Sequence, residues 1–382
     1  MNINGRNKIL FIATIDVHIV AFHIPFMKLL QEWNYVVEVA ARDTGSKKFV
    51  EERGFKFHDV PFSRNPLSVY NIRAFFIILN LMRRNEFLMV HTHTPVASFL
   101  GRIAGKMAGV PRIVYTAHGF HFHEYGSRLK NFAYFRLEKF AGKFTDVLIT
   151  INRDDYEIAK KSNLVPNGKI VYIKGVGVDT ERIKPENIED NRLESINGDL
   201  HYRNPLILTV GRLEREKNFD QFLHMLKIIK DSGKKFHGLV IGEGPLKDYL
   251  EKIINKLKLN DIVKFTGYFT RAFELISQAE VYIFTSSREG LPVSVMEAMA
   301  VEKPVVAYNI RGVRDLVVDG ETGFLIPYRN VQQLAEKVMY LMNNPEVARI
   351  MGRKGRERIE EEFSIKKIKT EMSNLYREIL GG

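Results

Sequence analysis

Short apolar runs that stop at a turn and hand over to helical spacing recur along this chain, and that alternation constrains its fold more than any other feature. NKILFIATI (Asn7 to Ile15), VVEVAA (Val36 to Ala41), HDVPF (His58 to Phe62), FLMVHTH (Phe87 to His93), RIVYTAHG (Arg112 to Gly119) and DVLITIN (Asp146 to Asn152) have the length and composition of strands. Helical spacing separates them, as in HIPFMKLLQEWN (His23 to Asn34). The pattern resumes with PLILTVGRLEREKN, GLVIGEGP, VKFTGY and AEVYIFTSS after a polar, aperiodic stretch from Thr180 to Pro205 that reads as a linker. Alternation of this kind predicts parallel, doubly wound α/β sheets. A chain of 382 residues is too long for one core, so two such domains are expected.

Doubly wound sheets bind ligands at the carboxyl ends of their strands, and unusual residues gather there. In the first half these are Asp16, His18, His91, His93, His118, Gly119, His121 and His123, and eight of the eleven histidines precede residue 124. The first connection, TIDVHIVAFHIPF, has no Gly-rich dinucleotide loop, which argues against a dehydrogenase. Short histidine-rich patterns such as HTH and HGFHFH seldom prove to be metal sites, so His91 and His93 are not read as a ligand pair and no metal is expected. His118, which as a neutral imidazole can both donate and accept a hydrogen bond, is otherwise simply packed at a strand end.

In the second half Gly211, Arg212 and Lys217 follow a strand end, where the two cations suit a diphosphate or are merely solvated. FTSSREGLPVSVMEAMA (Phe284 to Ala300) reads as a strand end, a turn at Glu289-Gly290-Leu291 and a helix opened by Pro292. A strand-to-helix turn of this type offers free N–H groups and a positive dipole end to phosphate. Glu289 and Glu297 are eight residues apart, hence at most about 12 Å along a helix. Taken singly, Glu297 also reads as an ordinary solvated helix charge.

E-G-L-P followed by E-A-M-A, KPVVAYNIRGVRDLV and DGETGFLIP closely resembles the C-terminal signature of glycosyltransferase family 4, retaining sugar-nucleotide transferases with two Rossmann-like domains facing across a cleft (GT-B). HTHTP, YTAHGFHF, ATIDVHIVAFHIPF and PFSRNP resemble its capsule and exopolysaccharide branch. The resemblance implies an acceptor-binding domain over 1–180, joined by a last helix at 364–382 that crosses back, and a nucleotide-sugar domain over 200–363. It implies His118 and Glu289 at the donor sugar and Glu297 on the ribose hydroxyls. Gly211, Arg212, Lys217, Gly290, Leu291 and Val293 fall in the donor-binding segments, with Tyr268 near the nucleobase. The expected activity is metal-independent transfer from a UDP-sugar, with no cofactor, to a carbohydrate acceptor carried on polyprenyl diphosphate, in surface polysaccharide synthesis. An epimerase or phosphorylase of the same fold is the alternative.

Composition narrows the setting. Without cysteine there is no disulfide framework and no thiolate site. Lys8 precedes only ILFIATI before Asp16, so no signal peptide is read, and AFFIILNLM (Ala74 to Met82) is far short of the roughly 20 residues of a membrane span. The net charge of +12 is segregated, with 25 Lys and Arg against 15 Asp and Glu over residues 1–180 and 32 against 30 beyond. A nucleic-acid partner is not expected, because no basic run interleaved with aromatics forms a known binding module. An anionic membrane surface is expected instead, met by NIRAFFIILNLMRR (Asn71 to Arg84) or SRLKNFAYFRLEKFAGKF (Ser127 to Phe144) from the cytoplasmic side, unless these segments simply pack on the sheet.

Overall fold

Six consecutive residues of β1 (Lys8–Ile15) are buried, as a strand covered on both faces by helices requires. A computed structural model, which describes residues 7–188 and 204–381, places this strand in the middle of a seven-stranded parallel sheet. With β2 (Val36–Arg42), β3 (Lys56–Asp59), β4 (Met89–His93), β5 (Arg112–Ala117), β6 (Val147–Thr150) and β7 (Lys169–Tyr172), the order is β3-β2-β1-β4-β5-β6-β7. A second parallel sheet has the order β10-β9-β8-β11-β12-β13, formed by β8 (Leu206–Val210), β9 (His237–Ile241), β10 (Val263–Gly267), β11 (Val281–Phe284), β12 (Val305–Tyr308) and β13 (Gly323–Ile326).

The chain divides into two units, one holding residues through Val176 and again from Ile368 onward, the other Gly177–Lys367. Residues just after 176 go with the second unit because Val178 bridges Ser364 and the Arg356 guanidinium donates to the Ile183 carbonyl. The polar stretch read as a linker lies mostly at 189–203, outside the described residues. In the first unit the strand order reverses between β1 and β4, and in the second between β8 and β11. Loops leaving neighbouring strands on opposite sides of such a reversal part from each other and leave a crevice.

Element boundaries follow local chemistry. β3 stops at Asp59 rather than continuing to Phe62, because Pro61 cannot donate to a ladder; Val60 and Phe62 are still fully buried. Pro345 opens the helix Pro345–Arg358 and so divides the long C-terminal amphipathic run from the preceding helix Val331–Asn343. The last helix, Ile365–Leu380, buries Ile368, Met372, Leu375, Tyr376, Ile379 and Leu380. Its Tyr376 hydroxyl is hydrogen-bonded to His91 Nδ1 at 2.9 Å, Arg112 donates to the Ile379 carbonyl, and Lys169 pairs with Glu378.

Candidate active site

In the second unit the residues after β8 and β11 are tied together at the strand reversal. The Thr285 hydroxyl donates to the Lys217 carbonyl at 2.8 Å, Asn218 Nδ2 donates to the Thr285 carbonyl at 3.0 Å, and Ser287 N donates to the Glu216 carbonyl at 2.8 Å. These bonds fix two loops whose side chains then meet: Lys217 Nζ donates to Glu289 Oε1 at 2.5 Å, with the lysine 25% and the carboxylate 15% exposed. An ion pair so shielded is worth more than a surface pair and holds both groups in one orientation. Arg212, by contrast, is 58% exposed and turns to Glu214 at 2.6 Å. The two cations read together from sequence thus stand in different settings.

The turn at Glu289-Gly290-Leu291 is held from below by glycine. Gly312 sits at φ +77°, and a Cβ there would come within 2.0 Å of the Gly290 carbonyl oxygen. The buried Arg311 beside it directs Nε to the Glu289 carbonyl at 3.4 Å. The following helix, Val293–Ala300, begins one residue beyond the expected Pro292, which serves as its N-cap residue. Val295, Met296, Ala298, Met299 and Ala300 are all buried, so Glu297 is carried on a helix with almost no solvent face. Burial pushes its carboxyl up to about 7, against the opposing pull of Arg182. It is not an ordinary solvated charge. Beneath it the Tyr282 phenol is raised well above the usual range by burial and by the nearby Glu297 and Glu289 carboxylates, which places both acids around one buried ring.

Gly211, Arg212 and Tyr268 line a pocket of about 510 Å³ at the ends of β8, β9 and β10, with Gly242, Glu243 and Gly244 on its floor. Both floor glycines are close-packing positions: a Cβ at Gly242 would meet the Gly211 carbonyl oxygen at 1.9 Å, and one at Gly244 the Leu213 backbone at 2.6 Å. Tyr268 is 72% exposed on the pocket wall, a free aromatic face beside backbone polar groups. Leu291 is buried and Val293 half-buried at the start of the helix.

In the first unit His118 is half-buried at the end of β5 and joins a group of imidazoles. His18 and His23 come from the segment after β1, His93 ends β4, and one ring nitrogen from each of these four lies within 4.8 Å of the others. His118 Nε2 and His93 Nδ1 are 3.4 Å apart. Burial drives His18 down to about 4 and holds His23, His93 and His118 well below the ordinary histidine range, so all four are neutral at pH 7. His91 and His93 line one small cavity, as residues two apart on a strand share a face. His93 is the last residue of its strand, and His91 is saturated by Tyr376 and by the Thr116 hydroxyl at 2.8 Å, so only His93 joins the group. His23 escaped the sequence reading because it sits inside a segment read as amphipathic helix. The usable signal was the His-x-Pro step that separates the short helix Asp16–Phe22 from Ile24–Glu32.

The two doubly wound parallel sheets give the chain the GT-B architecture of glycosyltransferases. The chain belongs to the family 4 glycosyltransferases: residues 26–182 match the model of Glycosyltransferase Family 4, and residues 194–358 that of glycosyl transferases group 1. EpsD of Bacillus subtilis, provisionally described as a glycosyltransferase, is 34% identical over 97% of this chain and 96% of its own. The UDP-Gal:α-D-GlcNAc-diphosphoundecaprenol α-1,3-galactosyltransferase of Escherichia coli is 27% identical over 91% of this chain and 90% of its own. CapM of Staphylococcus aureus, a capsular polysaccharide biosynthesis glycosyltransferase, is 27% identical over 94% of each chain. Among solved structures, HepE of Anabaena in complex with UDP and glucose superposes with a TM-score of 0.79 at 18% identity, covering 98% of this chain and all of that one.

Proposed function

We propose that this glycosyltransferase moves a sugar from a UDP-sugar, with retention at the anomeric carbon, to a carbohydrate on polyprenyl diphosphate in surface polysaccharide synthesis. The observation that carries the reading is the shielded Lys217–Glu289 pair beside Glu297 at the β8/β11 reversal. An ammonium, a carboxylate and the backbone N–H groups of a helix start are the groups that a diphosphate and sugar hydroxyls use. Lys217, with Arg212, stabilises charge on the departing diphosphate. Glu289 and His118 orient the sugar, Glu297 accepts from the ribose hydroxyls, and Tyr268 offers its ring to the base. No carboxylate stands clearly as a nucleophile, so retention proceeds on one face, with the leaving phosphate helping to take the acceptor proton. The capsular and diphosphoundecaprenol-linked activities of CapM and of the E. coli galactosyltransferase support the acceptor class.

A panel of UDP-, GDP- and ADP-sugars screened by thermal stabilisation tests the donor through binding linkage, followed by NMR assignment of the product anomer. Stabilisation by the UDP compounds and a retained product are expected. An inverted product, or stabilisation only by another nucleotide, overturns the reading.

Membrane association of the first unit rests on its surface. The helix Tyr70–Asn85 buries Ala74, Ile78, Leu79 and Met82 on the sheet, yet Ile72 and Phe76 are each 62% exposed on its other side. The helix Arg128–Gly142 buries only Ala141 and Gly142, leaving Leu129 77% and Phe132 64% exposed among the exposed Arg128, Lys130, Arg136 and Lys139. Among the described residues no helix is long and apolar enough to cross a bilayer. Exposed aromatic and aliphatic side chains alternating with cations suit an anionic interface. The protein should sediment with anionic liposomes at low salt and release as salt rises, and Arg128, Lys130 and Lys139 neutralised together should abolish most of the binding. Equal recovery with zwitterionic vesicles, or none with either, counts against it.

A further inference from the structure

We propose that His18, His23, His93 and His118 form a site for one divalent transition-metal ion of the zinc type, and that its occupation inhibits the enzyme. The four side chains converge from two chain segments and two strand ends, with one nitrogen of each within 4.8 Å of the others. Tetrahedral coordination at the zinc–imidazole distance requires nitrogen separations of about 3.3 Å. The His93–His118 pair is already at 3.4 Å. Closing the remaining gaps requires the side chains to rotate, above all His23 and His93, whose rings are stacked with centroids 3.6 Å apart.

Three observations favour an ion over other occupants. Nε2 of His18 and of His23 is buried and, among the described residues, has no hydrogen-bond partner. Native interiors rarely leave such atoms unmatched, and two in one cluster point to a shared ligand. The cavity bordered by His23, His93 and His118 holds only about 20 Å³, room for one ion or one water but not for a sugar ring. The imidazoles, kept neutral by burial, present lone pairs, with the Arg64 charge acting on His18 at the rim. Four nitrogen donors without thiolate or carboxylate select zinc, cobalt, nickel or copper over magnesium and calcium. His18 and His118 are only half-buried, so the ion has an entry.

The inhibitory half of the proposal rests on the reading of His118 as a sugar contact: an imidazole nitrogen committed to a metal is no longer free for a hydroxyl. Metal binding itself does not depend on that reading. His91, whose two ring nitrogens are engaged by Tyr376 and Thr116, is outside this set.

Co²⁺ and Zn²⁺ titrated into the full chain test the site directly. The expected result is one equivalent bound, with the visible absorption of tetrahedral Co²⁺ bleached by Zn²⁺. His18→Ala, at the half-exposed rim of the cluster, should weaken binding at least about 100-fold, beyond the 10- to 100-fold typical of losing an outer partner. His93→Ala should abolish it, and the exposed His224→Ala should change nothing. Circular dichroism verifies that each variant is folded. If the wild type gives no tetrahedral Co²⁺ spectrum, or if His18→Ala and His93→Ala bind as it does, the site does not exist. One equivalent of Zn²⁺ should also cut turnover more than about tenfold, relieved by chelation. A chain that binds the metal in the cluster yet turns over normally removes His118 from the sugar site and leaves the metal site standing, while overturning its inhibitory role.

Discussion

Lys217→Ala should lower kcat by about 100- to 1,000-fold, the scale on which a single preorganised charge at a developing anion is lost. The variant removes the ammonium and leaves Glu289 without its 2.5 Å partner, so a second defect, a misplaced carboxylate, compounds the first. Lys217→Arg keeps the charge but cannot keep the compact geometry, and should recover only part of the rate. Glu289→Ala should also slow turnover while leaving UDP affinity within a few-fold of wild type, because it faces sugar rather than nucleotide. Charge stabilisation by side chains also predicts that the rate survives EDTA. Near-normal turnover in Lys217→Ala, or a strict need for magnesium, would show that the diphosphate is handled elsewhere.

The other large effect belongs to Glu297, where stability and binding should move in opposite directions. Its carboxyl titrates near 7 in the folded protein, raised by burial. An unfolded glutamate titrates near its ordinary value of 4.5. Between these values the folded state holds a proton that the unfolded state has released, so stability falls as pH rises through the window, and the cost is complete above pH 7. Glu297→Gln removes the charge. At pH 8 the variant should be more stable than wild type by about 2 kcal/mol after discounting for partial exposure, and the difference should vanish near pH 4.5. UDP affinity should meanwhile drop about 10- to 100-fold, the value of two charge-assisted hydrogen bonds. Wild-type affinity should itself decline as pH falls below 7, whereas the variant should be flat. Calorimetric titration at pH 6 and 8 gives both numbers; equal UDP affinity in the two proteins would remove Glu297 from the ribose.

The fold was legible because parallel strands buried on both faces leave a plain mark: five apolar residues in a row in β1, three in β6 and four each in β11 and β12. The E-G-L-P turn is closed from the other side by Gly312, where nothing larger fits because a Cβ would come within 2.0 Å of the Gly290 carbonyl oxygen. Sequence spacing gave Glu289 and Glu297 as a pair. It could not show that Lys217, 72 residues before Glu289, would close on it, because that contact is set by the adjacency of β8 and β11 in the sheet. The histidine group was half visible for the same reason. His91 and His93 drew notice as neighbours in sequence, while the partners that meet His93 come from the ends of β1 and β5, on either side of β4 in the sheet. Buried polar clusters are assembled by topology, and local periodicity carries no record of it.

The last helix gives the chain an unusual order of completion. Residues from Ile368 onward supply six buried side chains to the first unit, and Tyr376 supplies the hydroxyl on which His91 depends. On a ribosome, the second unit is synthesised while the first, made earlier, still lacks a wall of its core. Vectorial folding normally favours the N-terminal domain. Here that domain must wait with an apolar groove open until residues 368–380 have been made, so a nascent chain released before them would keep a complete second unit and leave the first vulnerable to proteases.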